Sequence, residues 1–250
     1  MGLVVMGTRF PRTLRTAAER CLRCGHCVAA CPTQQLRHEG LAAGECLPLE
    51  ARWVAAAQVV GQLIRGRRSI RRYRPEAVEK GTLLAVLDAA RYAPTAMNSQ
   101  SVKWLVVYDP AEVKKLSLAV IEWMRGLMQK DEAVAGRYNA ATLIAAWDAG
   151  LDPVLRGAPH VLIAYARQDD PAAASSCTIA MTTAELAAQP FGLGACWAGF
   201  LHLGARNSPA VQEAMGLPAE HVMHGGLMIG YPAVTYHSIP PRKPLTVDWR

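Results

Sequence analysis

Four cysteines stand within eleven residues of one another near the start of the chain. They occur in the run Cys21-Leu-Arg-Cys24-Gly-His-Cys27-Val-Ala-Ala-Cys31-Pro32, which has the spacing C-x2-C-x2-C-x3-C-P. The two-residue gaps let several thiolates turn toward one point, and the glycine after Cys24 eases the backbone through that turn. A 4Fe-4S cluster requires this convergence, so the spacing predicts iron ligands at Cys21, Cys24, Cys27 and Cys31.

The ligand set of this cysteine site is open on two points. In two-cluster proteins the fourth cysteine of such a run binds the other cluster, and this sequence contains a single run. Either Cys31 completes the site, or Cys46 supplies the fourth thiolate, or a second run is missing. Zinc is the weaker alternative, because zinc ligands usually come as two separated pairs.

A second group of reactive side chains is the basic run Arg67-Arg68-Ser69-Ile70-Arg71. Guanidinium groups this close repel one another unless an anion neutralises them, and the planar fork of arginine suits phosphate oxygens. Taken alone, the run fits a solvated basic surface better than a phosphate site. Its sequence context, described below, reverses that preference.

The composition is that of a folded protein. The chain has 250 residues, of which 51% are hydrophobic and 19% charged, and this excludes an intrinsically disordered protein. Residues 1–80 hold 14 Lys and Arg against six Asp and Glu, whereas the rest of the chain holds 13 against 14. Because the excess charge coincides with the two motifs, we expect no nucleic-acid partner.

The distribution of cysteine and apolar residues predicts a cytoplasmic protein without a membrane partner. Seven cysteines with four in one loop are not a secreted disulfide framework, and no secretory signal is visible. The uncharged stretch 186–205 is as long as a membrane helix, but Pro190 and several glycines interrupt it. We interpret it as buried core broken by a turn.

The elements that must position these residues alternate between helix and strand. Apolar periodicity and proline positions define them. Helices are predicted at 51–66, around 83–90, at 111–129 and at 176–189, and strands at 103–108, 160–166, 195–200 and 222–229. This alternation predicts an α+β fold with a mixed sheet flanked by helices.

Three segments make up the predicted domain organisation. Residues 1–18 are basic and show no sustained period, so we expect an arm without regular structure. Residues 19–50 form a small iron–sulfur module around the cysteines. Residues 58–250 form the larger domain.

Four ordered segments of the larger domain resemble the nitroreductase family of FMN enzymes. They are RRSIRRY at 67–73, APTAMNSQ at 93–100, FGLGACW at 191–197, and GLMIGYP at 226–232 with Arg242-Lys243-Pro244 beyond it. The resemblance covers residues 58–250. The cysteine run resembles the second cluster motif of the ferredoxin module that is fused to some members.

The resemblance implies a set of cofactor-binding residues. Arg67, Arg68, Ser69 and Arg71 would hold the FMN phosphate and the pyrimidine edge, and Asn98 and Gln100 would contact the ring or the ribityl chain. Leu193 and Gly194 would offer backbone near the flavin N5, and Arg242 would return to the phosphate. No residue is a clear general acid, so the catalytic residues stay unassigned.

The resemblance also implies a function. Electrons would pass from NAD(P)H or a ferredoxin-like donor, through the 4Fe-4S cluster and FMN, to nitroaromatic, quinone or enone-type small molecules. The enzyme would be a homodimer. The alternative is a non-catalytic iron–sulfur and flavin protein that senses redox state or carries electrons, and sustained turnover of reduced cofactor separates the two.

Overall fold

The structure is a computed structural model that describes residues 3–7, 10–33, 35–41 and 46–250. The chain divides into two compact units. The first is Met1–Ala56 with Thr95–Gln100, and the second is Ala57–Pro94 with Ser101–Arg250. Parts of the predicted segments 1–18 and 19–50 lie outside the described residues, and the predicted domain boundaries stay predictions.

The first unit has short elements joined by loops. Strands β1 (Val4–Met6) and β2 (Pro11–Thr13) form an antiparallel hairpin, followed by helices α1 (Ala17–Arg20) and α2 (His26–Ala29) and a 3-10 turn at Ala51–Trp53. We expected no regular structure before residue 19, and the hairpin corrects this for its two strands. Three-residue strands are too short to produce a visible period in the sequence.

The second unit is built on one four-stranded sheet. Its strands are β3 (Lys103–Val107), β4 (His160–Arg167), β5 (Gly194–Trp197) and β6 (His221–Gly230), in the order β3-β4-β6-β5. Every pair among these strands is antiparallel. The predicted mixed sheet is therefore antiparallel where the described chain forms it.

Helices cover both faces of this sheet, which confirms the predicted α+β class. They are α3 (Ala57–Gly66), α4 (Lys80–Ala90), α5 (Pro110–Lys130), α6 (Glu132–Arg137), α7 (Ala140–Asp148), α8 (Ala173–Ala188), α9 (Gly199–Asn207) and α10 (Pro209–Met215). Most predicted bounds agree within three residues. The predicted strand at 195–200 is shorter, because α9 begins at Gly199.

Side chains of β4 alternate between two apolar cores. Val161 and Ile163 face a core shared with α5, α9 and α10, whereas Leu162 and Ala164 face a core shared with α4 and α8. This period of two is that of a strand buried on both faces. None of the described helices has the length and apolar character that crossing a bilayer requires.

A buried histidine connects the start of β4 to its neighbours. The backbone N–H of Val78 donates to His160 Nε2 at 2.9 Å, and His160 Nδ1 donates to the Tyr108 carbonyl at 2.7 Å. The imidazole also stacks on the Tyr108 ring, with 4.4 Å between centroids. Burial lowers the pKa of His160, so the neutral ring makes both bonds.

Candidate functional site

The basic run lies along the edge of the sheet formed by β5. The backbone N–H of Ile70 donates to the Ala195 carbonyl at 2.9 Å, and that of Arg74 donates to the Tyr231 carbonyl at 2.9 Å. The hydroxyl of the largely buried Tyr73 donates to the Ile70 carbonyl at 2.6 Å, and burial raises the pKa of Tyr73. These bonds fix the backbone from which the arginine side chains extend.

Gly194 allows this close approach. A Cβ added at Gly194 would lie 2.9 Å from Ile70 Cβ and 2.9 Å from Pro232 Cγ, closer than real Cβ atoms come. Any larger residue therefore displaces the basic run from the strand. Gly194 thus makes room for the segment that carries the arginines. Its expected backbone contact with the flavin stays a prediction.

The three arginines of the run differ in their partners. Arg67 Nη1 donates to Glu185 Oε1 at 2.9 Å, and Glu185 is buried, so these two charges neutralise each other. Arg68 donates through Nη2 to the Arg65 carbonyl, while its Nε is buried with no hydrogen-bond partner among the described residues. Arg71 is exposed and points into a cavity.

This cavity has a volume of about 400 Å³, within the range of small-molecule sites. Its wall combines two guanidinium groups with aromatic and aliphatic side chains and contains no aspartate or glutamate. The lining residues are Arg71, Val154, Arg156, Cys196, Trp197, Gly199, Phe200, Leu203 and Met228. A planar ligand with negative charge matches such a wall.

The end of β5 and the start of α9 form one side of the cavity. Cys196 is buried there, and its thiol donates to the Trp197 carbonyl, with 3.6 Å between the sulfur and the oxygen. Burial raises the pKa of the Cys196 thiol, although Arg71 lowers it in part. The neutral thiol is therefore part of the wall rather than a nucleophile.

A tight turn before β4 forms another part of the cavity wall. Asp152 accepts hydrogen bonds from the backbone N–H groups of Val154, Leu155 and Gly157 at 3.0, 2.9 and 3.2 Å. The fully buried Ser117 donates a further bond to Asp152 Oδ2 at 3.0 Å. Within this turn, Arg156 has a left-handed backbone with φ of 59°.

Two further residues expected at the flavin do not line this cavity. The Leu193 side chain is buried in the core shared with α4 and α8, and the expected contact of its backbone with the flavin stays a prediction. Arg242 is exposed in the C-terminal segment, which has no regular structure. Its hydrogen bond to a phosphate stays a prediction.

Asn98 and Gln100 belong to the first unit. Asn98 Nδ2 donates to the carbonyls of Leu22 and Arg23 at 3.4 and 3.3 Å, and the backbone N–H of Gln100 donates to Thr95 Oγ1 at 3.0 Å. The Asn98 amide thus contacts the cysteine run. Flavin contacts of Asn98 and Gln100 stay predictions.

The cysteines of the run do not converge. Cys21 Sγ lies 3.3 Å from His38 Nε2, and Cys31 Sγ lies 3.4 Å from Thr33 Oγ1. The Thr33 hydrogen bond lowers the pKa of Cys31 to about 7. In the part of the chain that the structure describes, no three His, Cys, Asp or Glu side chains are close enough to hold a metal ion. As placed, these thiols do not fit a 4Fe-4S cluster.

Three of the cavity residues with large or charged side chains were not identified as site residues from the sequence. Arg156 stands in an Asp-Pro-Val-Leu-Arg-Gly turn whose aspartate and glycine signal a turn but not its direction. Trp197 is the last residue of the FGLGACW segment and Phe200 lies three residues beyond it, but only Leu193 and Gly194 of that segment were interpreted as flavin contacts. Their position in or next to that segment was the available signal.

Comparison with known proteins relates the second unit to redox enzymes. A protein of Archaeoglobus fulgidus provisionally named NADH dehydrogenase/NAD(P)H nitroreductase is 29% identical over 68% of this chain and 84% of its own length. The fold is similar to that of an FMN-bound nitroreductase from Bacteroides fragilis, with a TM-score of 0.61 and 21% identity. This match covers 76% of the chain and 98% of the nitroreductase.

Oxidised iodotyrosine deiodinase bound to FMN and 3-iodo-L-tyrosine is similar in structure as well. Its TM-score is 0.55 at 25% identity, over 76% of this chain and 98% of the deiodinase. The family model described as the nitroreductase family matches residues 64–231, which contain the sheet, the basic run and the whole cavity wall. The chain belongs to the nitroreductase family and is an enzyme of that type.

Proposed function

We propose that the chain is an FMN-dependent oxidoreductase that transfers electrons from NAD(P)H to nitroaromatic, quinone or enone-type acceptors. The observation that carries this proposal is the cavity at the end of β5, which places two arginines beside Trp197 with no acidic residue in its wall. FMN is a planar ring with a phosphate, so its shape and charge match this wall. The FMN-bound nitroreductase of similar fold supports the same cofactor.

The buried Nε of Arg68 is the second observation that fits FMN. A buried donor without a partner is costly, and a phosphate oxygen would satisfy it. We assign Arg68 and Arg71 to the FMN phosphate and pyrimidine edge, with Ser69 beside them. Arg67 contributes little charge to that site, because Glu185 already neutralises it.

FMN, held by these residues, would supply two-electron chemistry, with NAD(P)H as the hydride donor and the small molecule as the acceptor. With a nitro compound the balanced reaction is NAD(P)H + H⁺ + R–NO₂ → NAD(P)⁺ + R–NO + H₂O. The chain's residues supply phosphate binding, the apolar surface of Trp197 and Phe200, and the positive charge of Arg156 in the cavity wall. No cavity residue is placed to donate the proton, which water can supply.

Steady-state turnover tests this function. The FMN-loaded chain should oxidise NADH or NADPH continuously with nitrobenzene derivatives or naphthoquinones, and the nitroso product or the hydroquinone should accumulate. The redox-sensing alternative predicts a single reduction of bound flavin without turnover. Absence of turnover with every acceptor would contradict the proposed enzyme.

Iron–sulfur binding is a separate part of the proposal and depends on the cysteine spacing alone. The described thiols must move together before they bind a cluster, so we assign no electron path from this segment to the cavity. Anaerobic reconstitution with iron and sulfide should give about four irons per chain. Iron at background level would remove the cluster, and a ferredoxin-like donor with it, from the proposal.

We also infer that two copies of the chain form a homodimer. Helix α3 has no buried residue, and Val59 and Ile64 on it are more than half exposed. Leu245 and Trp249 near the C-terminus are 89% and 91% exposed. Exposed apolar groups of this size mark interaction surfaces, and a second copy of the chain is the partner that the family favours.

A further inference from the structure

We propose that Arg156 determines acceptor specificity by binding an anionic group of the acceptor, such as a carboxylate or sulfonate on the nitroaromatic or quinone ring. This inference rests on the proposed function and adds the charge class of the substrate. Arg156 lines the same cavity as Arg71 but comes from the turn before β4 rather than from the basic run. The two guanidinium groups thus reach the cavity from separate parts of the fold.

The charge of Arg156 is not used by the protein itself. Among the described residues it has no hydrogen bond and no ion pair, whereas Arg67 has Glu185 and Arg167 has Asp169 and Glu220. No acidic side chain lines the cavity, so none is available there to pair with Arg156. An unpaired guanidinium beside apolar and aromatic surface is a binding group for a carboxylate or sulfonate.

The turn that presents Arg156 is built at a cost. A left-handed backbone at a non-glycine residue is unfavourable and persists only where its surroundings impose it. Here Asp152 imposes it through three backbone N–H groups, and buried Ser117 anchors Asp152 in turn. Strain retained beside a cavity indicates that the position of the side chain matters for the site.

In the proposed site, positively charged side chains of the basic run bind FMN. The proposed function assigns Arg68 and Arg71 to the FMN phosphate and pyrimidine edge, which leaves Arg156, the other arginine that lines the cavity, for the remaining ligands. Those ligands are the acceptor and NAD(P)H, and both classes contain anions. The two half-reactions can be measured separately, so the source of the anion can be identified.

The test compares two acceptors that differ only in charge. FMN-loaded enzyme is reduced photochemically without NAD(P)H and mixed in a stopped-flow instrument with 4-nitrobenzoate or 4-nitrobenzamide. The readout is the ratio of the two second-order rate constants for flavin reoxidation. We expect the wild-type ratio to favour the benzoate and Arg156→Gln to lower that ratio by about 10-fold or more, the effect of a lost charge-assisted hydrogen bond.

Two further variants sharpen the result. Arg156→Lys keeps the charge but loses the planar fork, so it should recover part of the ratio. Arg137→Gln removes an exposed arginine on α6 that does not line the cavity and should leave the ratio at its wild-type value. FMN content per chain is measured for each variant by absorbance after unfolding.

Three outcomes would overturn the proposal. An unchanged ratio in Arg156→Gln means that Arg156 does not bind the acceptor. A loss confined to flavin reduction by NADPH assigns the anion to the donor, and a loss of bound FMN makes Arg156 a cofactor ligand. Failure of the proposed function looks different, because the wild-type chain would then either retain no FMN or reoxidise its reduced flavin with neither acceptor.

Discussion

The arginines of the second unit carry the same charge but differ in what surrounds them. Arg67 is paired with buried Glu185, 118 residues further along the chain, whereas Arg71 and Arg156 face an open cavity. Removing one partner of a buried pair leaves an uncompensated charge and is strongly destabilising. Arg67 is therefore important first for folding, and Arg71 and Arg156 for ligands.

His160 makes stability depend on pH. Burial lowers its pKa below the usual 6.5, so the unfolded chain binds the proton more readily. The His160 contribution is complete above pH 6.5 and is lost as the pH falls below that value, by at most about 1.4 kcal/mol per pH unit. In urea unfolding, the wild type should lose about 1 kcal/mol more than His160→Gln between pH 7 and pH 5.5.

The difference between wild type and His160→Gln separates the effect of His160 on stability from the effects of the other histidines. Burial also lowers the pKa of His202 and His224, but both remain in the variant and their effects cancel in the difference. His237→Gln, which changes an exposed histidine, is the matched control and should keep the wild-type slope. Equal slopes for wild type and His160→Gln would show that His160 does not couple folding to protonation.

At the level of elements, the contact between β5 and the basic run depends on Gly194. Gly194→Ala pushes against Ile70 and Pro232, so we expect a loss of about 1–3 kcal/mol in the free energy of unfolding and weaker FMN binding. The control is Gly126→Ala within α5, where an added Cβ meets nothing within 4 Å. That variant should gain up to about 1 kcal/mol from helix propensity.

Unfolding curves and FMN titration of the two variants check this expectation together. If Gly194→Ala matches the wild type in both, the basic run does not need its close approach to β5. A loss of stability with unchanged FMN affinity would separate the packing role of Gly194 from the cofactor site.

The sequence predicted the elements better than the cavity, for physical reasons. Strands and helices follow from local periodicity, so β4 and α5 were found within one or two residues of their bounds. The cavity depends on contacts between distant segments, such as Arg67 with Glu185, and on the direction in which the Asp152 turn presents Arg156. Neither contact direction nor an unusual φ angle is encoded in a local pattern.

The cysteine run shows a second limit of prediction from sequence, because here a clear local pattern is not matched by the contacts of the side chains. Its spacing predicts a cluster, yet the described side chains make other contacts, including that of Cys21 with His38. Spacing defines which ligands can converge, whereas convergence itself requires the metal, because binding and folding of such loops are coupled. The 4Fe-4S cluster therefore stays a prediction.

For the whole molecule, the exposed apolar groups predict a dimer in solution. Full-length chain should have the mass of two copies in light scattering, and deletion of residues 234–250 should shift the population toward one copy. Arg137→Gln serves as a control that leaves the mass unchanged. A monomeric mass for the full-length chain at micromolar concentration would contradict the inferred homodimer.

The distribution of charge is also a property of the whole molecule. The excess of positive residues lies in residues 1–80, and its densest part, the basic run, is folded against β5 rather than spread over an open face. This position favours a bound small anion over a nucleic-acid surface. We therefore propose that the small anion is FMN, bound in the cavity that Arg71 and Trp197 line.

Equilibrium titration of flavin-free chain with FMN tests that claim most directly. Quenching of flavin fluorescence should saturate at one FMN per chain, and Arg71→Gln should weaken the affinity by about 10-fold or more, whereas Arg137→Gln should not. Riboflavin, which lacks the phosphate, should bind more weakly than FMN. Absence of saturable binding, or equal affinity of the wild type and Arg71→Gln, would contradict the account.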